Sequence, residues 1–108
     1  MVDFQPVAKV GEVPDCGAKP VVAHGEPVAL FRVGDEVFAI SDVCTHEETE
    51  LHSGDFDCED LEIECPLHGS KFNVQTGEVR ILPATRPVAT FDVKIDGDLV
   101  LVGPKRQP

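Results

Sequence analysis

Apolar and polar residues alternate along several short stretches of the chain, and turn-forming residues separate these stretches. The clearest case is VATFDVKIDGDLVLV, in which two alternating arms lie on either side of Asp96-Gly97. The segment PVALFRVGDEVFAI has the same form around Gly34-Asp35. A pair of this kind between alternating arms is typical of a β-hairpin with a tight turn. The pattern therefore predicts two hairpins.

Two shorter stretches between these hairpins also have a period of two. In DLEIEC, the apolar residues Leu61, Ile63 and Cys65 alternate with acids, and Phe72 and Val74 alternate further on. Nine prolines and nine glycines interrupt the chain, and no stretch has sustained helical periodicity. We therefore predict an all-β fold, a small sandwich or barrel of short antiparallel strands.

The composition fits one small domain with a modest core. The chain has 108 residues and contains no Trp, no Tyr and a single Met. Domains typically have roughly 100–150 residues, so we expect a single domain over residues 1–108, with a frayed C-terminal PKRQP. A bound metal would help such a chain to fold, because metal-binding free energy counts as folding free energy.

The charge balance narrows the classes of partner. Twenty acidic and nine basic residues give a formal net charge of −11, which argues against nucleic acid and anionic membranes as partners. It fits attraction to a basic protein partner, and it fits ordinary solubility equally well. No basic and apolar leader and no apolar run of roughly 18 residues is present. We therefore expect a cytoplasmic protein, and a monomer.

Two cysteine–histidine pairs, Cys44-Thr-His46 and Cys65-Pro-Leu-His68, fall in predicted loops. In each pair the spacing lets two side chains of one turn point at one centre. Zinc accepts two cysteines and two histidines, but its sites usually group like ligands together. A Rieske [2Fe–2S] centre needs two cysteines on one iron and two histidines on the other. Two loops that each supply one cysteine and one histidine favour the iron–sulfur centre over zinc.

The motif CTH followed by CPLHGSKF resembles the two cluster-binding loops of Rieske [2Fe–2S] proteins, and the resemblance covers nearly the whole chain. By that resemblance, Cys44 and Cys65 bind the buried iron of one [2Fe–2S] cluster, and His46 and His68 bind the outer iron. The length is similar to that of a free-standing Rieske ferredoxin.

The resemblance also implies an architecture and a function. The family has stacked antiparallel β-sheets with the cluster at one tip, here in loops at about residues 42–52 and 64–72. Rieske ferredoxins of multicomponent aromatic ring-hydroxylating dioxygenases take electrons from a flavin-containing NAD(P)H reductase. They deliver them to a terminal oxygenase that dihydroxylates an aromatic compound. The chain itself would be an electron carrier and not an enzyme, since it has neither a dinucleotide-binding loop nor a mononuclear iron triad.

Two alternatives stay open from the sequence. Small Rieske-like chains also serve as subunits of assimilatory nitrite reductase, often without intact ligands, and all four ligand positions are intact here. A zinc-stabilised binding module without a redox role would use the same four side chains.

Comparison with the high-potential respiratory type predicts a low reduction potential. That type has a clamping disulfide at the positions of Thr49 and Leu67, and commonly a tyrosine at the position of Phe72 that donates to a cysteine sulfur. Fewer donors to the sulfurs disfavour the reduced cluster, so we expect a potential toward the low end of the Rieske range, which begins at roughly −150 mV. Ser70 can still donate, and its effect is left open.

The segment between His46 and Cys65 is strongly acidic and contains no lysine or arginine. One interpretation is a solvated hairpin edge. The other is a negative collar that guides basic surfaces of redox partners to the cluster. The nine acids are Glu47, Glu48, Glu50, Asp55, Asp57, Glu59, Asp60, Glu62 and Glu64.

The remaining histidines and cysteines are weaker candidates. His52 follows a complete Cys-x-His pair, and His24 lies beside a glycine in a predicted turn, so neither is expected to be a ligand. We expect Cys16 and Cys58 to be free thiols, because the inferred compartment opposes a disulfide between them.

Overall fold

The computed structural model describes residues 4–45, 49–66, 69–81 and 86–106. Within this part the chain forms ten short strands and two single-turn 3₁₀ helices, at Val10–Glu12 and Leu51–Ser53. The all-β prediction is confirmed. The strands are β1 Gln5–Lys9, β2 Gly17–Ala23, β3 Glu26–Val33, β4 Glu36–Ser41, β5 Asp55–Asp57, β6 Glu62–Glu64, β7 Lys71–Asn73, β8 Val79–Ile81, β9 Thr90–Asp96 and β10 Leu99–Arg106.

These strands form two antiparallel sheets. The larger has six strands in the order β1-β10-β9-β4-β3-β2, and the smaller has four in the order β5-β6-β7-β8. The four strands of the smaller sheet follow one another along the chain between β4 and β9. The smaller sheet is therefore an insertion into the larger one, and both predicted cluster loops belong to this insertion.

Both predicted hairpins are present. Val33 pairs with Glu36 across Gly34-Asp35, as the pattern predicts. At the other hairpin Asp96 pairs with Leu99, so the tight turn lies one residue later than Asp96-Gly97. The glycine in each turn has a positive φ, 60° and 64° respectively, which explains why a residue without a side chain occupies it.

Two clusters of buried apolar residues form the core. One lies within the larger sheet and includes Val28, Leu30 and Val100. The other takes residues from both sheets, and the rings of Phe31 and Phe56, 4.8 Å apart between centroids, contact one another across it. Burial of these side chains holds the inserted sheet against the larger one.

The prediction of a frayed C-terminal PKRQP is wrong as far as the structure describes it. β10 continues to Arg106, and Gln107 and Pro108 lie outside the described residues. Arg106 donates from two nitrogens to the carboxylate of Asp92, at 2.6 and 2.9 Å. This hydrogen bond lowers the pKa of Asp92 below its usual value. Strand pairing and a bidentate ion pair hold the last described residues of β10 in place.

The expectation of two free thiols at Cys16 and Cys58 is also wrong, because these residues form a disulfide. Cys16 lies in the turn before β2, and Cys58 lies in the turn between β5 and β6. Their Cα atoms are 5.3 Å apart although 42 positions separate them in the sequence. Folding of the small sheet onto the large one brings these two turns together, and the bond joins the sheets covalently.

Candidate metal centre

Cys44 and Cys65 lie buried in the same core cluster, between the two sheets. Cys44 is in the loop that follows β4, and Cys65 directly follows β6. Their exposed fractions are 3% and 1%, and neither belongs to the disulfide. The structure therefore brings together two of the four predicted ligands. The other two, His46 and His68, lie outside the described residues.

The two loops close in the same way. The Cys44 amide donates to the Thr49 carbonyl at 3.0 Å, and the Cys65 amide donates to the Ser70 carbonyl at 2.7 Å. Each bond joins a cysteine to the residue five positions later. In the second loop the Gly69 amide also donates to the Cys65 carbonyl at 3.0 Å, and Gly69 has a φ of +74°. Each cysteine thus begins a segment that a backbone hydrogen bond closes, and each segment includes one histidine in the sequence.

Close backbone contact places the two loops side by side. Gly54 follows the 3₁₀ turn at the end of the first loop, and a Cβ at this position would collide with the carbonyl oxygen of Glu64. It would also lie 3.3 Å from Cδ of Pro66. Only glycine permits this approach, so Gly54 determines how near the first loop lies to the second.

The described residues fit a Rieske cluster at this position. Thiolates of two cysteines hold one iron of such a cluster, and the buried thiols of Cys44 and Cys65 supply that donor type from two adjacent, similarly closed loops. The histidine half of the donor set lies outside the described residues.

The side chains around the cysteines are mostly apolar. Leu51, Ile63 and Phe72 are fully buried in the same cluster as both thiols. Ser70 is a fully buried polar residue in the second loop. These neighbours exclude water from the cysteine side of the site. The low reduction potential stays a prediction. Leu67, one of the residues on which it depends, lies outside the described residues.

Polar contacts outside the predicted ligand set hold the first loop in place. The Thr45 hydroxyl donates to the Arg86 carbonyl at 2.6 Å, which joins the loop to the segment before β9. His52 hydrogen-bonds to the buried carboxylate of Asp42 through its backbone amide and its ring. The ligand-type atoms of Asp42, Glu50 and His52 lie within 4.8 Å of one another, and the contacts among these residues account for this closeness.

In the sequence, His52 is only a further histidine after a complete Cys-x-His pair, and nothing in its residue type distinguishes Asp42 from the other acids. That His24 is not a ligand stays a prediction. Its half-buried ring lies 3.0 Å from the Val102 carbonyl oxygen in the larger sheet. The position of Asp42, two residues before a predicted cysteine ligand, could have indicated a side chain that stabilises the first loop. The distance between the two ends of the loop was not readable from the sequence.

The acidic segment forms part of the surface of the small sheet. Glu47 and Glu48 lie outside the described residues. On β6, Glu62 lies 3.9 Å from Arg80, and Glu64 lies 4.0 Å from Lys71. The other five are exposed, namely Glu50, Asp55, Asp57, Glu59 and Asp60. Most of the negative charge of this segment therefore faces solvent.

An apolar groove of about 640 Å³ lies beside the first loop. Val43, which precedes the first cysteine, and Val22 of β2 contribute to its lining, and they are 38% and 71% exposed. Glu50 is also part of the lining. Apolar surface and an exposed carboxylate thus lie together next to the loop that contains Cys44.

The Rieske [2Fe-2S] domain family matches residues 3–92. Because this match covers most of the chain and includes both loops, the chain belongs to the Rieske [2Fe-2S] domain family. The protein accordingly has a Rieske-type [2Fe–2S] cluster as its cofactor.

The chain is also similar to individual ferredoxins along their whole length. It is 39% identical over 106 residues to the 3-phenylpropionate/cinnamic acid dioxygenase ferredoxin subunit of Escherichia coli (strain K12), covering 95% of this chain and 93% of the relative. The ferredoxin of carbazole 1,9a-dioxygenase from Nocardioides aromaticivorans IC177 has a TM-score of 0.91 and 40% identity, over 94% of this chain and 97% of that one. These similarities identify this protein as a Rieske-type ferredoxin, an electron carrier.

A further solved structure to which the chain is similar contains a ferredoxin bound to an oxygenase. It is the complex of reduced oxygenase and oxidized ferredoxin in carbazole 1,9a-dioxygenase, and it matches with a TM-score of 0.84 and 35% identity, over 92% of this chain and 91% of that chain.

In the part of this chain that the structure describes, no helix is long and apolar enough to cross a membrane.

Proposed function

We propose that the protein passes single electrons from a flavin-containing, NAD(P)H-dependent reductase to a terminal Rieske non-haem iron oxygenase that dihydroxylates an aromatic compound. The observation that carries this proposal is the pair of adjacent, similarly closed loops, each with a buried cysteine at its base. Similarity to dioxygenase ferredoxins over nearly their whole length supports the choice of oxygenase as partner. We further propose that residues 1–108 act as one domain, as a monomer, in the cytoplasm.

In this proposal Cys44 and Cys65 hold the inner iron, and His46 and His68 hold the outer iron. A Rieske [2Fe–2S] cluster supplies reversible transfer of one electron at a time. The protein keeps water from the cysteine side, since both thiols are buried among apolar side chains. The histidine side is then the route by which the partner exchanges the electron.

Ligand substitution tests the assignment of the cluster. We expect Cys44→Ser and His68→Ala to abolish the red-brown colour and the low-average-g paramagnetic signal of a reduced Rieske centre. The double variant Cys16→Ser/Cys58→Ser is a control for cysteine-to-serine replacement, because it changes the two disulfide cysteines and leaves the proposed iron ligands in place. A colourless wild-type protein with stoichiometric zinc would contradict the proposal.

Reconstitution tests the electron-carrying role. Aromatic hydroxylation and NAD(P)H consumption by candidate reductase and oxygenase components should depend on this protein. Replacement of the wild type by Cys44→Ser should stop product formation. Equal product formation without the protein would show that it is not the carrier for that oxygenase.

We propose that the exposed acids of the small sheet form a negative collar that attracts basic surfaces of these partners. Their side chains are exposed, and Glu50 and Asp55 lie in the first loop and at the start of β5 that follows it. Encounters between redox proteins depend on charge for their speed. Salt shortens the Debye length from about 10 Å at 0.1 M to about 3 Å at 1 M, so electron transfer should slow markedly as salt is added.

Charge-neutralising variants separate the collar from net charge. Glu50→Gln with Asp55→Asn should slow electron transfer and reduce its salt dependence. Asp96→Asn with Asp98→Asn removes the same charge from the β9–β10 turn of the larger sheet and should have little effect. Equal effects of both pairs, or a rate that does not depend on salt, would support the interpretation of a merely solvated edge.

A further inference from the structure

Asp42 is a buried carboxylate that joins the two ends of the first loop. Its exposed fraction is 3%, and it lies directly after β4, two residues before Cys44. Its Oδ1 accepts a hydrogen bond from the His52 backbone amide at 2.7 Å, and its Oδ2 lies 2.6 Å from Nδ1 of the His52 ring. Because a carboxylate only accepts, the ring donates from Nδ1. A single side chain therefore binds the residue that ends the loop at two points.

Backbone contacts extend this closure toward the cysteine. The Leu51 amide donates to the Asp42 carbonyl at 2.8 Å, and Val43 forms an isolated antiparallel bridge with Glu50. The next contact is the bond from the Cys44 amide to the Thr49 carbonyl. The Asp42–His52 pair is thus the first of several successive contacts across the loop, the last of which is made by Cys44.

The pair also places charged and polar groups in the first loop, two residues from Cys44, and the exposed Glu50 carboxylate lies 3.5 Å from Nε2 of the same ring. The side chain of Asp42 is only 5% exposed, whereas that of His52 is 22% exposed, so the imidazole lies between the carboxylate and solvent. A carboxylate buried with two donors is stabilised, but one that loses a donor is left with an uncompensated charge. The hydrogen bond from the ring therefore limits how strongly the negative charge acts on its surroundings.

We propose that Asp42 and His52 are positioning residues of the iron–sulfur site, which fix the first loop and set the reduction potential of the cluster. The inference rests on the proposed ligand role of Cys44, and it deepens that proposal by assigning roles to two residues that bind no iron. Uptake of an electron adds negative charge to the cluster, so an unscreened carboxylate nearby disfavours reduction. A neutral side chain at the same place favours it.

Midpoint potentials measured by redox titration at one fixed pH test the inference without any partner protein. His52→Leu removes the ring donor and should shift the midpoint to lower potential. His52→Asn can still donate to the carboxylate, and its midpoint should return toward that of the wild type. Asp42→Asn keeps the shape of the side chain but removes its charge, and it should shift the midpoint to higher potential.

A second measurement reports on the loop itself. Hydrogen exchange of the peptide that contains Cys44, followed by mass spectrometry, should be about tenfold faster in His52→Leu, as for the loss of one net hydrogen bond. His52→Asn should largely restore the wild-type rate. His24→Asn is the matched control, because it replaces a histidine that is bonded to Val102 in the larger sheet, and it should change neither the midpoint nor the exchange.

Midpoints within error of the wild type in both His52→Leu and Asp42→Asn would overturn the inference, and so would equal shifts in His52→Leu and His52→Asn. Should His52→Leu not fold, the sign of the shift in Asp42→Asn decides, since a rise supports the inference and an unchanged or lower midpoint refutes it. Failure of the proposed ligand role is distinguishable, because Cys44→Ser would then keep the Rieske signal, and failure of the carrier role would appear only in the reconstitution assay.

Discussion

The disulfide between Cys16 and Cys58 should contribute a large part of the stability of this small protein. It closes a loop of 42 positions and joins a turn of the larger sheet to a turn of the smaller one. In the chain-entropy description, a cross-link of this length lowers the entropy of the unfolded chain by about 13 cal/mol/K, which is about 4 kcal/mol at 25 °C. The double variant Cys16→Ser/Cys58→Ser should lose about that much free energy of unfolding.

Thermal unfolding of the cluster-loaded protein measures this loss. For a chain of this size, 1 kcal/mol corresponds to a shift of roughly 4–5 °C in the melting temperature, so we expect a decrease of roughly 15–20 °C in the double variant. Mild reduction of the wild type with a dithiol should give a similar decrease. Cys16 is exposed and Cys58 is half-buried, so a reductant can reach the bond in the folded protein.

The double variant is also the control for the reductant. A dithiol should not change its melting temperature, because it has no disulfide to lose, whereas an effect on the cluster would appear in both proteins. A melting temperature of the double variant within about 4 °C of the oxidised wild type, equivalent to about 1 kcal/mol, would refute the reasoning. The two sheets would then be held together by core packing alone.

Three further changes give separate expectations. Gly54→Ala should cost at least about 2 kcal/mol of stability and lower the iron content, because its Cβ would collide with the backbone of the second loop. Thermal unfolding measures the loss, and Gly11→Ala is the control, since the open space around its Cβ should make it cost far less. Phe72→Tyr places a hydroxyl in the fully buried core beside the cysteines and should raise the midpoint potential, and an unchanged midpoint in a redox titration would contradict the hydrogen-bond argument. Arg106 lowers the pKa of Asp92 from 3.8, so this pair stabilises the fold above that pH and loses its effect as the pH falls through the lowered pKa. Asp92→Asn should therefore narrow the difference in melting temperature between neutral and acidic pH, and an identical pH dependence in both proteins would show that the pair contributes nothing.

Several features of the fold could be predicted because they depend on neighbours in the sequence. The turn at Gly34-Asp35 and the alternation around Ile63 follow from local backbone preference and from the period of two along a strand. The strands β1, β5 and β8 were not predicted, because each is short and owes its extended form to pairing with a partner strand. Local patterns carry no information about such pairing.

The sequence by itself predicted the donor types of the site. The order and spacing of the two cysteine–histidine pairs restrict the donor set to the loops at 42–52 and 64–72, since a loop brings ligands two or three residues apart to one centre whatever the rest of the fold is. The alternating strands similarly determined that the chain is all-β, because the side-chain period of a strand is a local property.

Only the tertiary structure decided how these loops are braced. The contact of Gly54 with Glu64, the hydrogen bonds between Asp42 and His52, and the disulfide each join residues that lie between 10 and 42 positions apart in the chain. Such contacts depend on how the inserted sheet packs against the larger one. That packing is a collective result of core burial, which no short stretch of sequence specifies.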